Sequence, residues 1–132
     1  MSSDPPIGIV TKASRHSVQQ TLDRLKDTIR TKGLSIFAII DHSAEAEKVG
    51  LKMQEAKLII LGSSRAGTPL MIASPLLALD LPLKVLAWKD KDGRVWINYN
   101  SVSYLANRYD LPSELARNIA GIDALVKGAL HD

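Results

Sequence analysis

The sequence predicts one α+β domain spanning 1–132, with about five strands in a mixed or antiparallel sheet and helices packed mainly on one face. Two observations carry this prediction. The spacing of the apolar residues changes several times between strand-like and helix-like periods, and a β-hairpin is indicated over 83–100. Strand and helix segments mixed in this order favour an α+β sheet. The length of 132 residues and the 45% apolar content fit a single core.

The first predicted elements are a strand and an amphipathic helix. Residues 7–12 are rich in β-branched side chains and follow a proline-containing extended tail at 1–6. Ser17 and Gln20 have the spacing of a capping box, and Gly33 ends the helix that they begin. Within that helix the apolar residues recur at helical spacing, at Val18, Leu22, Leu25 and Ile29.

Two strands separated by a short helix come next. The apolar run 34–40 is too short for a typical helix and predicts a buried strand, as does 57–61. Between them, 43–53 predicts a short helix with Ser43 as its N-cap. Gly50 weakens that helix by about 1 kcal/mol relative to alanine.

The segment 58-LIILGSSRAGTPLM-71 predicts a strand that turns into a helix. Thr68 is the expected N-cap, and Pro69 is then the first helical residue, where a missing N–H costs nothing. Pro75 lies well inside the apolar pattern that follows, so we expect a kink or a break there.

The last third of the chain predicts a hairpin followed by helices. Residues 83–89 and 94–100 flank a turn in which Asp92-Gly93 carries the turn chemistry. A short helical segment is expected over 101–109, and a last helix begins at Pro112. The apolar face of that helix consists of Leu115, Ile119, Ile122, Leu125, Val126 and Leu130.

The composition excludes several classes of protein. The chain has no cysteine, which removes disulfides, thiolate nucleophiles and cysteine-ligated metals. Its net charge of +3 is scattered and its aromatics are few, so nucleic acid is disfavoured as a partner. No signal-peptide pattern and no apolar run of about 18 residues is present. We therefore expect a cytoplasmic protein without a membrane, metal or cofactor requirement.

The glycines of the 58–71 segment invite comparison with a phosphate-binding loop. Gly62 and Gly67 have the required separation, but Thr68 and Pro69 stand where a P-loop has its lysine and hydroxyl residue. In a P-loop, the lysine and the hydroxyl residue contact the phosphates and the magnesium ion. Because this chain lacks both at the required positions, the sequence does not support nucleotide hydrolysis.

A more general anion site remains a hypothesis for the same loop. Ser63, Ser64 and Arg65 precede the predicted helix N-terminus, whose free N–H groups and dipole favour an anion. The alternative is that Gly62 and Gly67 only permit the turn and that Thr68 only caps the helix.

A second candidate is the Asp41-His42 pair at the end of a predicted strand. Asp41 could orient His42 as a general acid or base, or both could be turn and helix-start residues without chemistry. The three histidines are too far apart in sequence to indicate a metal site.

A third candidate is Asn98, Tyr99 and Asn100, at the end of the hairpin's second strand, with Trp88 and Trp96 nearby. Such residues can line a pocket with polar tips over apolar bodies. The alternative is that the tryptophans fill the core or a subunit interface.

Several of these motifs occur in an order that resembles domain-of-unknown-function family 302. They are Asp41-His42, Gly50-Leu51 with Met53, Leu61-Gly62, Gly67-Thr68-Pro69-Leu70-Met71, 79-LDLPLKVLAW-88, Asp92-Gly93 and Tyr99-Asn100. The resemblance covers nearly the whole chain. It implies a small prokaryotic α+β domain that forms a homodimer and has no assigned reaction. At Leu61–Ser64 the chain departs from the family's usual loop sequence.

Three functional hypotheses follow. The first is a dimeric domain that binds a small, anionic ligand or acts as a sensor, with a pocket formed by His42, Tyr99, Asn100 and the loop residues Gly62, Ser63, Ser64, Arg65, Gly67 and Thr68. The second is a small enzyme that uses Asp41 and His42 as an acid/base pair. The third is a structural dimer without a ligand site.

Overall fold

The computed structural model describes residues 6–131, in which strands and helices alternate along the chain. The strands are β1 (Ile9–Ser14), β2 (Ser35–Asp41), β3 (Ala56–Gly62), β4 (Leu83–Lys89) and β5 (Val95–Asn100). The α-helices are α1 (Val18–Thr31), α2 (His42–Lys48), α3 (Ser64–Ala73), α4 (Val102–Arg108), α5 (Ser113–Ala116) and α6 (Ile122–Leu130). Short 3₁₀ helices occupy Pro75–Leu79 and Arg117–Ile119.

The five strands form one sheet in the order β1-β5-β4-β3-β2, and every neighbouring pair is antiparallel. The predicted hairpin is β4–β5, and Asp90 shapes its turn by accepting from the backbone N–H groups of Asp92 and Arg94, both at 2.9 Å. The N-terminal strand then pairs with β5, from Ile9 opposite Asn100 to Ser14 opposite Val95. The α+β prediction is confirmed, with an antiparallel rather than a mixed sheet.

The main core lies between the sheet and two helices, α1 and α6, which pack against each other. The predicted capping box of α1 is present: Ser17 Oγ accepts from the N–H of Gln20, and the Gln20 side chain accepts from that of Ser17. Leu25 and Ile29 on α1 are fully buried against the sheet. Burial of such a side chain contributes about 1.5–3 kcal/mol, so this apolar stripe fixes α1 on the sheet.

The structure corrects the predicted start and end of the α2 helix. Asp41, not Ser43, is the N-cap, because its Oδ1 accepts from the N–H of Ala44 at 2.9 Å. The Ser43 hydroxyl instead donates to the same Asp41 oxygen at 2.6 Å. The helix ends at Lys48, and Gly50 lies beyond it with φ of 78°, a left-handed conformation that glycine adopts without strain.

The predicted start of α3 at Thr68 is wrong. The helix begins at Ser64, because Ser63 caps it, so Thr68 and Pro69 lie inside. The break expected at Pro75 is confirmed: the α-helix ends at Ala73 and a 3₁₀ helix follows.

Two smaller expectations also change, and a third lies almost wholly outside the described residues. The first strand begins at Ile9 and runs to Ser14 instead of covering 7–12. The last predicted helix is divided into α5, a 3₁₀ turn and α6, since its apolar residues pack in two different clusters. The predicted tail 1–6 lies outside the described residues except for residue 6.

Candidate functional site

A cavity of about 530 Å³ lies at one end of the sheet, on the helix-covered side. It is bounded by the end of α1, the first half of β2, the β3–α3 junction, the start of β4 and the corner between α5 and α6. Its lining consists of Lys32, Leu34, Phe37, Leu61, Gly62, Ser63, Ser64, Ala66, Gly67, Thr68, Met71, Leu81, Pro82, Leu83, Asn118, Ile119, Gly121, Ile122, Ala124 and Leu125. The volume is in the range of about 300–1,000 Å³ that is typical of small-molecule sites.

The β3–α3 junction forms the polar end of the cavity. Ser63 leaves the strand in an extended conformation, and its Oγ accepts from the N–H of Ala66 at 3.2 Å. Its carbonyl oxygen accepts from the N–H of Gly67 at 2.8 Å. The N–H groups of Ser64 and Arg65 belong to the first turn of α3, where no carbonyl of the helix is available to accept from them. They therefore point out of the N-terminal end of the helix, where the helix dipole is positive.

The remaining walls are predominantly apolar. Leu61 and Leu83 come from neighbouring strands, where they are cross-strand partners, while Ile122 and Leu125 come from α6. Lys32 is the one charged residue in the described lining, which includes no aspartate, glutamate or histidine. The cavity can therefore hold an apolar body and an anionic or polar head, but its lining supplies no acid/base pair.

Asn118 links the two helical walls of the cavity. Its Nδ2 donates to the carbonyl oxygen of Ala66 at 3.0 Å, which ties the α5–α6 corner to the first turn of α3. Both residues line the cavity. The width of the cavity between α3 and α6 is thus held by a hydrogen bond between segments 52 residues apart.

Five of the predicted site residues lie in the cavity lining: Gly62, Ser63, Ser64, Gly67 and Thr68. Arg65 belongs to the same turn, but its side chain is exposed and is not part of the lining. The backbone and hydroxyl groups of the predicted loop therefore line the cavity, but the Arg65 side chain does not. The positive charge in the lining comes from Lys32 instead.

The Asp41-His42 pair lies at the opposite end of β2 from the cavity. Asp41 pairs with Lys57, whereas Ser35 pairs with Gly62. Gly62 lies five positions after Lys57 along β3, so the end of β2 that precedes His42 is about 17 Å from the loop. The structure does not bring His42 and the loop into one pocket. Because β2 is antiparallel to β3, the last residue of β2 lies beside the beginning of β3, whereas the loop follows the end of β3.

The carboxylate of Asp41 is engaged with groups other than His42. It accepts from the Ser43 hydroxyl and the Ala44 N–H, and Lys57 Nζ lies 3.7 Å from its Oδ2. The Ser43 hydrogen bond, followed by that of Ala44, lowers the pKa of Asp41. The His42 ring is exposed. This arrangement is that of a helix cap, and it does not place Asp41 as the orienting partner of a general base.

Tyr99 lies behind the cavity wall. It is buried in the core beside Ile122 and Leu125, and its hydroxyl donates to Asp123 Oδ1 at 2.5 Å. Burial, together with the Asp123 carboxylate, raises the pKa of Tyr99 well above its ordinary range. Asn100 is the last residue of β5 and pairs with Ile9. Neither residue lines the cavity.

Several lining residues were not predicted from sequence. Lys32 follows α1 directly, next to the glycine that ends the helix, whereas Phe37 lies in β2. Neither position carries a local pattern that predicts a site. Asn118 and the start of α6 are more than 50 residues from the loop, so no local pattern could join them to it.

Comparison with known proteins places this geometry in a family. The family model described as domain of unknown function DUF302 matches residues 10–128. The crystal structure of an uncharacterized conserved DUF302 protein from Bacillus stearothermophilus superimposes with a TM-score of 0.78, covering 94% of this chain and 96% of that one at 14% identity.

Longer relatives carry a different name. The chain is 39% identical over 128 residues to fluoride-specific ion channel FluC 1 of Brucella suis and to FluC 2 of Brucella melitensis. The match covers 97% of this chain but 49% and 46% of those proteins, so the chain spans about half the length of these relatives. Within residues 6–131, no helix is both long and apolar enough to cross a membrane.

Proposed function

The chain belongs to the DUF302 family, and we propose that it is a homodimeric small-ligand-binding or sensory domain whose ligand occupies the cavity beside α3. The observation that carries the proposal is the lining itself, which combines apolar walls with one polar end. A ligand with an apolar body and an anionic head group, such as a monocarboxylate, matches both parts. We place this activity in the cytoplasm, where a chain without cysteine loses nothing to the reducing environment.

The polar end supports an anionic head group in two ways. The N–H groups of Ser64 and Arg65 have no intrahelical acceptor, and the N-terminal end of a helix favours negative charge by about 0.3–1 kcal/mol or more when partly buried. Lys32 adds a full positive charge at the rim. The body of the ligand would replace water against Phe37, Leu83 and Leu125, which contributes about 25 cal/mol for each Å² of apolar surface covered.

The test is a binding measurement with octanoate, with octanol as a neutral analogue of the same chain length. Octanoate at ten times its Kd should stabilise the protein by about 1.4 kcal/mol, seen as a higher Tm in a thermal shift and confirmed by calorimetry. Octanol should bind more weakly, because it lacks the charge. Absence of binding by both compounds and by shorter or aromatic monocarboxylates would contradict the proposal.

Two variants of matched chemistry test the location of the ligand. A Cβ added at Gly67 would lie 3.8 Å from Leu81 Cδ1 and 4.0 Å from Met71 Cε, so a leucine there extends into the cavity. A Cβ added at Gly128 on α6 meets nothing within 4 Å, and that residue is not in the lining. Gly67→Leu should abolish the octanoate shift, and Gly128→Leu should keep it.

A second pair of variants tests the head group. Lys32→Gln should weaken octanoate binding while leaving octanol binding unchanged. Lys26→Gln makes the same change on α1 outside the lining and should alter neither. Equal weakening of both ligands by Lys32→Gln would show that the carboxylate does not use this charge.

The name of the longer relatives suggests fluoride as a further probe. Fluoride is small and strongly hydrated, and a mostly apolar lining offers few donors to replace its water. We therefore expect sodium fluoride to give no shift beyond that of sodium chloride, and we propose that the matching half of those relatives also binds an organic ligand. A shift specific to fluoride, lost in Ser63→Ala, would favour an anion site at the loop instead.

A further inference from the structure

Three large aliphatic side chains project into solvent from the end of α3 and from the 3₁₀ helix that follows it. They are Ile72, Leu76 and Leu79, which are 76%, 71% and 73% exposed. Leu76 and Leu79 are three residues apart in a 3₁₀ helix, which has three residues per turn, so they lie on one face. Ile72 precedes Leu76 by four residues, a span of at most about 14 Å. We call these three residues the apolar ridge.

The apolar ridge is separate from the side chains that this segment contributes to the core. Leu70 and Leu77 are fully buried, in a cluster with Leu105 and Ile119. Single exposed apolar residues are common on protein surfaces. Here, however, the fourteen residues from Ala66 to Leu79 include no charged residue at all. The outer side of this segment therefore lacks the polar character of an ordinary solvated helix.

The apolar ridge borders the cavity. Met71 and Leu81, which flank the segment that carries the ridge, both line the cavity. A Cβ added at Gly67 would lie 3.8 Å from Leu81 Cδ1 and 4.0 Å from Met71 Cε, so these two side chains come together beside α3. The two ends of the ridge segment therefore converge on the cavity wall, and an apolar surface continues from the wall to the ridge.

Positive charge lies near the apolar ridge. Arg65, Pro69 and Ile72 are all exposed, and their spacing of four and then three residues places them on one face of α3. Seven residues of helix separate Arg65 from Ile72, a rise of about 10 Å. Lys32 supplies a second exposed cation in the cavity lining.

Negative charge near the apolar ridge is offset. Asp80 is the one acidic residue between positions 56 and 89. Its carboxylate accepts from Arg108 at 3.2 Å and from the Tyr109 hydroxyl. Glu114 lies on α5, which also packs on α3, and it is followed by Arg117. The ridge thus has cations on one side without an excess of carboxylates on the other.

The backbone of the ridge segment is suited to an apolar medium. Pro69 and Pro75 have no N–H group. The N–H groups of Ser74 and Leu77, at the junction of the two helices, donate to the carbonyl oxygens of Leu70 and Ser74 at 2.8 and 3.0 Å. These four positions therefore add no unpaired N–H group that would have to stay hydrated.

We propose that the apolar ridge docks reversibly on the surface of an anionic lipid bilayer, from which the cavity takes up its ligand. Aliphatic side chains beside cations are the arrangement with which surface-bound helices enter the boundary between head groups and acyl chains. The choice of a bilayer also rests on the proposed function, because an amphiphile with an apolar body and an anionic head dissolves in membranes. Such docking requires no helix that crosses the bilayer.

The shape of the apolar ridge favours a bilayer over a protein partner. Three side chains are far fewer than the roughly 20–30 residues that each side of a stable protein interface contributes. A fluid bilayer needs no complementary surface, because acyl chains and head groups rearrange around whatever enters. Its anionic surface also attracts cations such as Arg65 over a distance of about one Debye length.

Flotation with lipid vesicles, without added ligand, tests the docking surface. The protein should bind phosphatidylcholine vesicles that contain phosphatidylglycerol, and the double variant Leu76→Asp, Leu79→Asp should lower the partition coefficient at least about tenfold. The matched control is Val49→Asp, Leu51→Asp. Both residues are exposed and follow α2, at the end of β2 opposite the cavity. The control should bind vesicles like the parent.

The contribution of charge is tested with the same vesicles. Arg65→Gln should weaken binding to the anionic vesicles about fivefold and leave binding to pure phosphatidylcholine unchanged. Arg94→Gln is the control, because Arg94 is exposed in the β4–β5 turn, away from the cavity. Added salt should weaken the binding of the parent to anionic vesicles more than that of Arg65→Gln.

Three results would overturn the proposal. They are absence of the parent from floated anionic vesicles, equal binding by the double ridge variant, and equal weakening by the Val49 and Leu51 control. Sedimentation velocity without lipid identifies a different occupant. A parent that self-associates through the ridge, and loses this in the ridge variant without ever binding vesicles, would assign the surface to a second copy.

The docking surface and the ligand site fail separately. The double ridge variant should bind octanoate from solution like the parent, and Gly67→Leu should bind vesicles while losing octanoate. A parent that binds vesicles but no monocarboxylate would contradict the proposed function alone. A parent that binds octanoate but no vesicles would contradict the docking surface alone.

Discussion

Tyr99 on β5 donates a hydrogen bond of 2.5 Å to Asp123 in the first turn of α6. The two residues connect the central sheet to the helix that supplies Ile122 and Leu125 to the cavity wall. Tyr99 is 3% exposed, so its phenol is a buried polar group whose partner is a carboxylate at the surface. Tyr99 is therefore a residue that positions the cavity wall rather than one that contacts a ligand.

Replacement of Tyr99 by phenylalanine should lower the free energy of unfolding by about 1.5–3 kcal/mol, as expected for a hydrogen bond to a charged group. Asp123 lies on an exposed turn and can be hydrated again, which favours the lower value. Urea unfolding at neutral pH measures the change. A loss below about 0.5 kcal/mol would show that the bond does not hold α6 on the sheet.

The same tyrosine predicts a loss of stability in alkaline solution. Burial and Asp123 raise the pKa of Tyr99 in the folded state, whereas the unfolded chain ionises near pH 10. The contribution is thus fully present below about pH 10 and is lost as the pH rises further. In Tyr99→Phe, the decline in stability above that pH should be shallower than in the parent. Equal declines in the two proteins would contradict this assignment.

Two serine and threonine variants distinguish the observed start of α3 from the predicted one. Ser63→Ala removes the side chain that accepts from Ala66 N–H and should cost about 1 kcal/mol. Thr68→Ala lies inside the helix, where alanine has the better propensity, and should cost less than about 0.5 kcal/mol. Thermal unfolding of both variants shows which residue caps α3. A larger loss of stability in Thr68→Ala than in Ser63→Ala would favour Thr68 as the N-cap, as the sequence predicted.

This difference shows where local sequence patterns are informative. The capping box at Ser17 and Gln20 was predicted correctly because both partners lie within one turn and the apolar stripe that follows is regular. At α3, two adjacent signals competed. Thr68-Pro69 fits a helix start, but the chain already turns at Ser63 as β3 ends, and the helix tolerates Pro69 further along.

The cavity depends on contacts that the sequence does not encode locally. The loop residues 62–68 were found because the glycines and hydroxyls are adjacent, whereas Asn118 and Lys32 reach the same space only through the packing of α1 and α6. His42 was grouped with the loop because both follow strands. Strand direction, which depends on the pairing of β2 with β3, places them at opposite ends.

Asp41 provides a prediction that separates capping from catalysis. Asp41→Ala should cost about 1 kcal/mol of stability, because it removes the N-cap of α2, while His42→Ala should stay within about 0.5 kcal/mol. The pKa of Asp41 is lowered in the folded state, so its contribution is present above the unfolded value of about 3.9 and is lost as the pH falls through the folded pKa. Unfolding measured between pH 7 and pH 2 should show a smaller acid-induced loss in Asp41→Ala. An octanoate affinity that fell tenfold in His42→Ala would contradict the placement of the ligand.

Gly8 gives the sharpest prediction for the N-terminal part of the sheet. Its φ is +88°, and a Cβ added there would lie 2.4 Å from Cγ of the Tyr104 ring. The Gly8 carbonyl also accepts from the N–H of Ser101 at 2.7 Å, which ties the start of β1 to the end of β5. Gly8→Ala therefore combines left-handed strain of about 1–2 kcal/mol with a clash against a ring that cannot bend away.

The expected cost of Gly8→Ala is about 3 kcal/mol or more, measured by urea unfolding. Gly128→Ala, where the added Cβ meets nothing within 4 Å, should be neutral or stabilise α6 by up to about 1 kcal/mol. A second change, Tyr104→Ala, separates the two contributions, because removal of the ring relieves the clash and leaves the strain. Introducing Gly8→Ala into that background should cost only about 1–2 kcal/mol. An unchanged cost there would mean that the backbone conformation, and not the contact with Tyr104, requires glycine at this position.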